Sequence, residues 1–273
     1  MNAGEGAILG IVQGLTEFIP ISSTAHLRIV PALAGWKDPG TAFTAVIQLG
    51  TVLAVVIYFW REIMQIIAAW FRGIRDRSVR DSLEYRLGWY VIFATIPIGI
   101  FGLIFQHQID HGARNLWLIA STEIALGLVL LLAERIGKRT RDEEDIGLRD
   151  GLVVGLAQCA SLVPGVSRSG STITAGLFVG LDRPAAARFS FLLSIPAVVL
   201  SGLFELKDLG HKNGPGLEVT AIATVLAFIV GLASIHWLIR FLSRHSTGVF
   251  VGYRILLGGL LFGLLAAGTI SAT

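Results

Sequence analysis

Long apolar runs separated by short charged stretches divide this chain. The runs lie at about 42–60, 88–105, 116–133, 187–204, 219–239 and 250–270. Each is close to the ~20 residues an α-helix needs to cross a hydrocarbon core, so six membrane-spanning helices are predicted. Pro97 and Pro196 fall inside two of them. Membrane helices tolerate proline where neighbours satisfy the freed carbonyl, and a bend is expected at each. Two further apolar segments, about 3–30 and 151–178, are interrupted by polar residues and glycine. Neither offers a continuous span. Both read as re-entrant hairpins, which lipid permits only against protein or beside a wet cavity.

The basic residues sort with this layout. The stretches 61–86, 134–150, 183–188 and 240–254 hold sixteen Lys and Arg. The alternate stretches hold five, namely Arg28, Lys37, Arg114, Lys207 and Lys212, while Arg168 lies inside the second interrupted segment. Sixteen against five is a positive-inside signal. It survives only if both interrupted segments return to the side they entered from. Both termini are then expected outside, with the first hairpin dipping in from outside and the second from inside.

That geometry is an inverted repeat, about 1–133 and about 151–273, joined by the charged linker 134–150 in one integral membrane domain, 1–273. Internal echoes agree with it. Gly10-x-x-x-Gly14 followed by Pro20 and Ser22 parallels Gly151-x-x-x-Gly155 followed by Pro164 and Ser167, and the run from Phe43 past Gly50 parallels the run from Phe189 past Pro196. In such folds the broken elements of the two halves meet near the midplane and build the site. The fold class expected is an all-α polytopic membrane protein, about six transmembrane helices plus two re-entrant helical hairpins.

Composition narrows the class further. Of 273 residues, 53% are hydrophobic and 15% charged, against about 25% charged in soluble domains. No charged n-region precedes a small-residue cleavage site, so no cleavable signal peptide is expected. One cysteine, Cys159, excludes an intramolecular disulfide and a cysteine metal cluster. The net charge of +3 does not point to nucleic acid, because topology explains the basic residues.

The polar residues in the two interrupted segments carry the candidate chemistry, since ionisable groups at membrane depth are expensive and functional by default. In the first, Gln13 and Glu17 are four apart and share a helix face. Pro20 should end or bend that helix, and Ser22, Ser23, Thr24 and His26 follow it. A hydroxyl, an imidazole and a carboxylate can share one small volume there, as an activated nucleophile requires. Ser22-Ser23-Thr24 after a proline is also an ordinary helix cap. In the second, Pro164 and Gly165 make a turn, Ser167, Ser169, Ser171 and Thr172 supply hydroxyls, and Arg168 has the planar fork that grips phosphate. A helix starting near Ser169 would add N–H donors and a positive dipole end. Arg168 would otherwise be a structural partner neutralising Glu17. Glu123 and His236 read as structural or interfacial, and His107, His111, His211 and His245 fall in predicted loops.

At these residues the chain resembles the bacterial undecaprenyl-diphosphatase family, the bacitracin-resistance phosphatases. One signature is (Glu/Gln)-x-x-x-Glu, here Gln13 and Glu17, running into Ser22-Ser23-Thr24-x-His26. The other is Pro-Gly-x-Ser-Arg-Ser-x-x-Thr, here Pro164, Gly165, Ser167, Arg168, Ser169 and Thr172. The resemblance spans the whole length. It implies removal of the terminal phosphate from C55 isoprenyl diphosphate, which recycles the lipid carrier for cell-wall synthesis and confers bacitracin resistance. It implies a divalent cation, Mg2+ or Ca2+, for which Glu17 is the metal candidate; Gln13 in place of a carboxylate weakens a two-carboxylate site. Glu17, Ser23, His26 and Arg168 are the catalytic candidates. Gln13, Ser22, Thr24, Gly165, Ser167, Ser169 and Thr172 are the phosphate-binding ones.

The nucleophile stays open between Ser23 with His26 as base, His26 itself, and activated water, with Ser23 favoured. The expected setting is the bacterial inner membrane, with the site facing the outer leaflet. The expected partners are the polyprenyl diphosphate and membrane lipid, with a homodimer as candidate assembly. The rival classes are an inverted-repeat transporter or flippase and a non-catalytic lipid-diphosphate binder.

Overall fold

The computed structural model describes residues 1–105, 114–205 and 215–272. His107, His111, His211, Lys207 and Lys212 lie outside the described residues. Among those described there are eleven α-helices and no β-sheet. In chain order they are α1 (Ala3–Thr16), α2 (Ser23–Ala34), α3 (Gly40–Tyr58), α4 (Trp60–Arg75), α5 (Leu83–Ile104), α6 (Leu116–Ile136), α7 (Leu148–Gln158), α8 (Arg168–Phe178), α9 (Arg183–Glu205), α10 (Leu217–Leu242) and α11 (Gly248–Ala266). Six of these, α3, α5, α6, α9, α10 and α11, are long and apolar enough to cross a membrane. Their positions follow the apolar runs, and Pro97 and Pro196 lie inside α5 and α9.

The stretch 61–86, expected to be a loop, is largely helical. Its arginines mask an amphipathic pattern. In α4 the positions Ile66, Ala69 and Gly73 are buried while Arg61, Arg72 and Arg75 are exposed. Trp60, Phe71 and Ile74 stay exposed beside the charges, as in a helix lying in a membrane interface. Gly73 packs under Tyr85, and Gly88 of α5 packs on Trp70, so α4 folds back on the start of α5.

The interrupted segments are helical hairpins, α1–α2 and α7–α8, each too short to span as one element. Specific contacts sort the connections into two ends of the molecule. At one end Gly6 of α1 sits against Val219 of α10, Arg28 and Arg114 pair with Asp38, and the Leu116 N–H donates to the Ala272 carbonyl. At the other, Glu134 of α6 pairs with Arg183 of α9 and accepts from Thr247 before α11, while Arg141 of the linker bonds Asp150 of α7 and the Val179 carbonyl after α8. The second hairpin therefore begins and ends at the linker end. The first begins and ends at the opposite one.

Small residues let the hairpins lie this deep. A Cβ on Gly10 would fall 2.3 Å from the Ala223 carbonyl oxygen, and one on Gly155 would fall 2.5 Å from the Ala94 Cα. The first hairpin helix of each half thus presses its glycine face on a spanning helix of the other half, α1 on α10 and α7 on α5. Close backbone approach over small residues is how membrane helices associate without a hydrophobic driving force. Gly10→Ala and Gly155→Ala should each destabilise the protein by about 1–3 kcal/mol through overpacking. Gly99→Ala, which meets no atom within 4 Å, should be neutral or stabilise by up to about 1 kcal/mol. Thermal unfolding of the purified protein in detergent measures this; equal melting of all three variants would refute the close-packing account.

Candidate functional site

Both hairpins turn through a strained serine. Ser22, the cap of α2, has φ 68° and ψ 96°, and Ser167, the cap of α8, has φ 71° and ψ 121°. A non-glycine residue held there costs about 1–3 kcal/mol and persists only where the surroundings over-determine it. Each serine caps its helix through Oγ, which accepts from the Ala25 N–H at 3.3 Å or the Gly170 N–H at 3.0 Å. Thr24 lies 3.2 Å from the Ser22 hydroxyl and Ser169 lies 3.1 Å from the Ser167 hydroxyl.

The N-termini of α2 and α8 meet around Glu17, one residue past α1. Its Oε2 accepts from the Ser23 hydroxyl at 2.6 Å and from the Gln13 amide at 2.7 Å. Its Oε1 pairs with Arg168 of the second hairpin. The Ser169 hydroxyl reaches the carbonyls of Glu17 at 3.3 Å and Ile19 at 3.2 Å. Gln13 is fully buried, and Glu17 and Ser23 are nearly so. Thr51 of α3 backs the group, 3.5 Å from the Gln13 amide. The structure thus brings Gln13, Glu17, Ser23, Arg168 and Ser169 into one network. Two helix N-termini converge there, and their positive ends favour an anion.

Other sequence candidates are placed differently. Ser23 is hydrogen-bonded to Glu17 and not to His26, so the expected Ser23–His26 pairing is replaced by a Ser23–carboxylate pairing. The reason is the turn: Ser23 opens α2 facing back toward α1, whereas His26 sits a turn further along. His26 instead bonds the Ser22 carbonyl through Nδ1 at 2.7 Å and the Tyr253 hydroxyl through Nε2 at 2.6 Å. Thr172 points away to Ser190 of α9, 2.6 Å between hydroxyls. Gly165, at φ 85°, is pressed under α6, where an added Cβ would fall 2.1 Å from the Thr122 hydroxyl.

Arg254 is the residue that sequence reasoning misplaced. It was assigned to the loop 240–254, but it lies in α11 and is 1% exposed. Its guanidinium donates to the carbonyls of Pro20 at 3.1 Å, Val166 at 3.2 Å, Gly165 at 2.8 Å, Thr122 at 3.2 Å and Glu123 at 3.1 Å. Its counter-ion is the fully buried Glu123 carboxylate of α6, at 3.1 Å. Glu123 is thereby the buried partner of Arg254. The available signal was an Arg near the start of one apolar run and a Glu in another, which is an intramembrane ion pair in prospect.

Comparison with known proteins agrees with the motifs. Residues 6–260 match the family described as bacitracin resistance protein BacA. The chain is similar to the undecaprenyl-diphosphatase of Mycobacterium ulcerans, 53% identical over 269 residues and covering 97% of each chain. It is 52% identical to that of Mycolicibacterium smegmatis, again over 97% of each. It is 48% identical to that of Nocardia farcinica, over 98% of this chain and 97% of the relative. A protein that shares nearly its full length with these relatives and matches the family from its first hairpin to its last span belongs to the bacitracin resistance protein BacA family.

Proposed function

We propose that this protein hydrolyses undecaprenyl diphosphate to undecaprenyl phosphate and inorganic phosphate. One observation carries the mechanism: the Ser23 hydroxyl donates to Glu17, whose other oxygen is held by Arg168. A carboxylate fixed by an arginine is a base of defined orientation for a hydroxyl nucleophile. Ser23 Oγ attacks the terminal phosphorus, and its proton passes to Glu17. The bond from that phosphorus to the bridging oxygen breaks, and the lipid monophosphate leaves. Water then attacks the phosphoserine, giving inorganic phosphate and restoring the serine. Arg168 has five N–H donors. One serves Glu17, and others remain to take phosphate oxygens alongside the N–H groups at the start of α2 and α8.

The family implies a divalent cation, and the donors fit it only in company with the substrate. No group of three or more His, Cys, Asp or Glu able to hold a metal occurs among the described residues. Hard oxygen donors are nonetheless present: the Glu17 carboxylate and the Gln13 Oε1, a buried carbonyl with no hydrogen-bond partner among the described residues. Mg2+ is typically held by one or two carboxylates plus substrate phosphates. Such an ion would be held by Glu17 and Gln13 and would neutralise charge on the diphosphate. Chelation should then abolish turnover while leaving the melting temperature of the free protein unchanged.

The termini are proposed outside, with the site opening toward the outer leaflet. Moving Arg254 out of the loop tally leaves fifteen basic residues against five, still a strong positive-inside bias. In a Cys159→Ser background, cysteine introduced at Arg77 or Thr140 should resist an impermeant thiol reagent added from outside. Labelling of either from outside would reverse the topology.

The flippase reading differs in one observable. Purified protein should release phosphate from C55 diphosphate in detergent, without any gradient. Ser23→Ala should lose nearly all of that activity, and rapid-quench labelling should trap an acid-stable phosphoserine. Glu17→Gln should be comparably damaging, and Gln13→Ala milder. Arg168→Ala should lose at least about tenfold to a hundredfold, the worth of a charge-assisted contact of roughly 1.5–3 kcal/mol. Arg168→Lys should restore only part, since an ammonium cannot fork. Wild-type turnover in Ser23→Ala would rule out the serine route, and an acid-labile phosphoenzyme would transfer the role to His26.

A further inference from the structure

His26 is held at both ring nitrogens. Nδ1 lies 2.7 Å from the Ser22 carbonyl. A carbonyl only accepts, so Nδ1 carries a proton. Nε2 lies 2.6 Å from the Tyr253 hydroxyl, and the two rings stack at 13° with centroids 5.6 Å apart. In the neutral imidazole, Nε2 is the lone pair and the phenol donates to it. In the imidazolium, the Nε2–H donates and the same hydroxyl accepts. The contact survives either state without the tyrosine losing its proton.

Tyr253 belongs to neither polar motif. It is carried by α11, and its position is set by the next residue. Arg254 is clamped to the Pro20 carbonyl of one turn and to the Gly165 and Val166 carbonyls of the other. The helix is thereby locked in register with both turns, and the Tyr253 hydroxyl meets the imidazole. His26 is 7% exposed, whereas Tyr253 is 41% exposed. The phenol thus connects a buried ring to the protein surface. No other side-chain hydrogen bond holds His26 among the described residues.

We propose that Tyr253 is a positioning residue for His26. The Ser22 carbonyl fixes the Nδ1–H tautomer, and the phenol fixes the ring plane and holds Nε2 in either protonation state, so that the imidazole keeps one orientation beside the Ser22 and Ser23 turn. The kinetic consequence rests on the diphosphatase reading above; the hydrogen-bonding consequence at Nε2 does not.

Tyr253→Phe keeps the stacked ring and removes only the hydroxyl. In the purified full-length protein with C55 diphosphate, kcat should fall about tenfold to a hundredfold, the scale of a misplaced group beside the reacting atoms. KM should stay within about twofold, and the melting temperature should match wild type. In a His26→Ala background the same substitution should cost nothing further, because coupled residues are not additive. Histidine-selective 15N NMR in micelles gives the second readout, with the His26 signal identified by its loss in His26→Asn. Both proteins should show the Nδ1–H tautomer that the Ser22 carbonyl imposes, and Tyr253→Phe should show Nε2 shifted by the loss of its hydrogen bond. An unchanged His26 signal, a kcat within twofold of wild type, or a full additive loss in the His26→Ala background would each overturn the proposal. If the wild-type protein releases no phosphate, the diphosphatase reading fails, while the NMR comparison still tests whether Tyr253 positions His26.

Discussion

A helix broken at membrane depth leaves carbonyls that lipid cannot satisfy, and each costs several kcal/mol if it stays unpaired. This protein breaks two helices, so it faces that cost twice. Arg254 meets both debts with one side chain. Its guanidinium collects the Pro20 carbonyl from the first turn and the Gly165 and Val166 carbonyls from the second. It takes the Thr122 and Glu123 carbonyls of α6 as well. A buried guanidinium requires a counter-charge, and Glu123 supplies it. Lysine would not substitute, because a point charge with three donors cannot reach carbonyls spread over a planar fork. The two turns are therefore fixed against each other by the same group that satisfies them.

The ion pair between Glu17 and Arg168 depends on that registration. Glu17 and Arg168 come from different hairpins and are 151 residues apart. Removing one partner of such a buried pair costs about 3–5 kcal/mol, because the survivor is left uncompensated. Loss of the carboxylate would thus disturb folding by itself, so a structural role for the pair does not exclude a functional one. The same electrostatics favours the substrate. A diphosphate brings negative charge to an arginine and two helix N-termini that otherwise have only one carboxylate to balance them.

Much of this was legible in the chain. The six spans were visible because each is a long run with hardly a charge. The hairpins were visible because glycine, proline and hydroxyl residues interrupt two further runs. The pairing of Gln13 with Glu17 followed from helix spacing alone. What stayed hidden depended on direction. No local rule says that Ser23, at the first position of α2, faces back to Glu17 while His26 faces α11. Arg254 was hidden by counting: it stands near the end of a basic stretch, and a topology tally treats every such arginine as a loop residue. Helix α4 was hidden for the opposite reason, since its arginines obscured a buried stripe at Ile66, Ala69 and Gly73.

The two hairpins share a frame but not a chemistry. Glu17 stands three residues past Gly14, and Gln158 stands three past Gly155; both are buried. Ser23 follows the strained cap Ser22, and Arg168 follows the strained cap Ser167. Corresponding places thus hold a carboxylate against a neutral amide and a hydroxyl against a guanidinium. Symmetry would be costly here. Two carboxylates would repel each other and an anion, and two guanidiniums at the helix starts would leave no hydroxyl beside the carboxylate. Because one hairpin keeps the carboxylate and the hydroxyl while the other keeps the cation, the ion pair between them runs across the interface. The Glu17–Arg168 pair then joins Arg254 in holding the hairpin tips together.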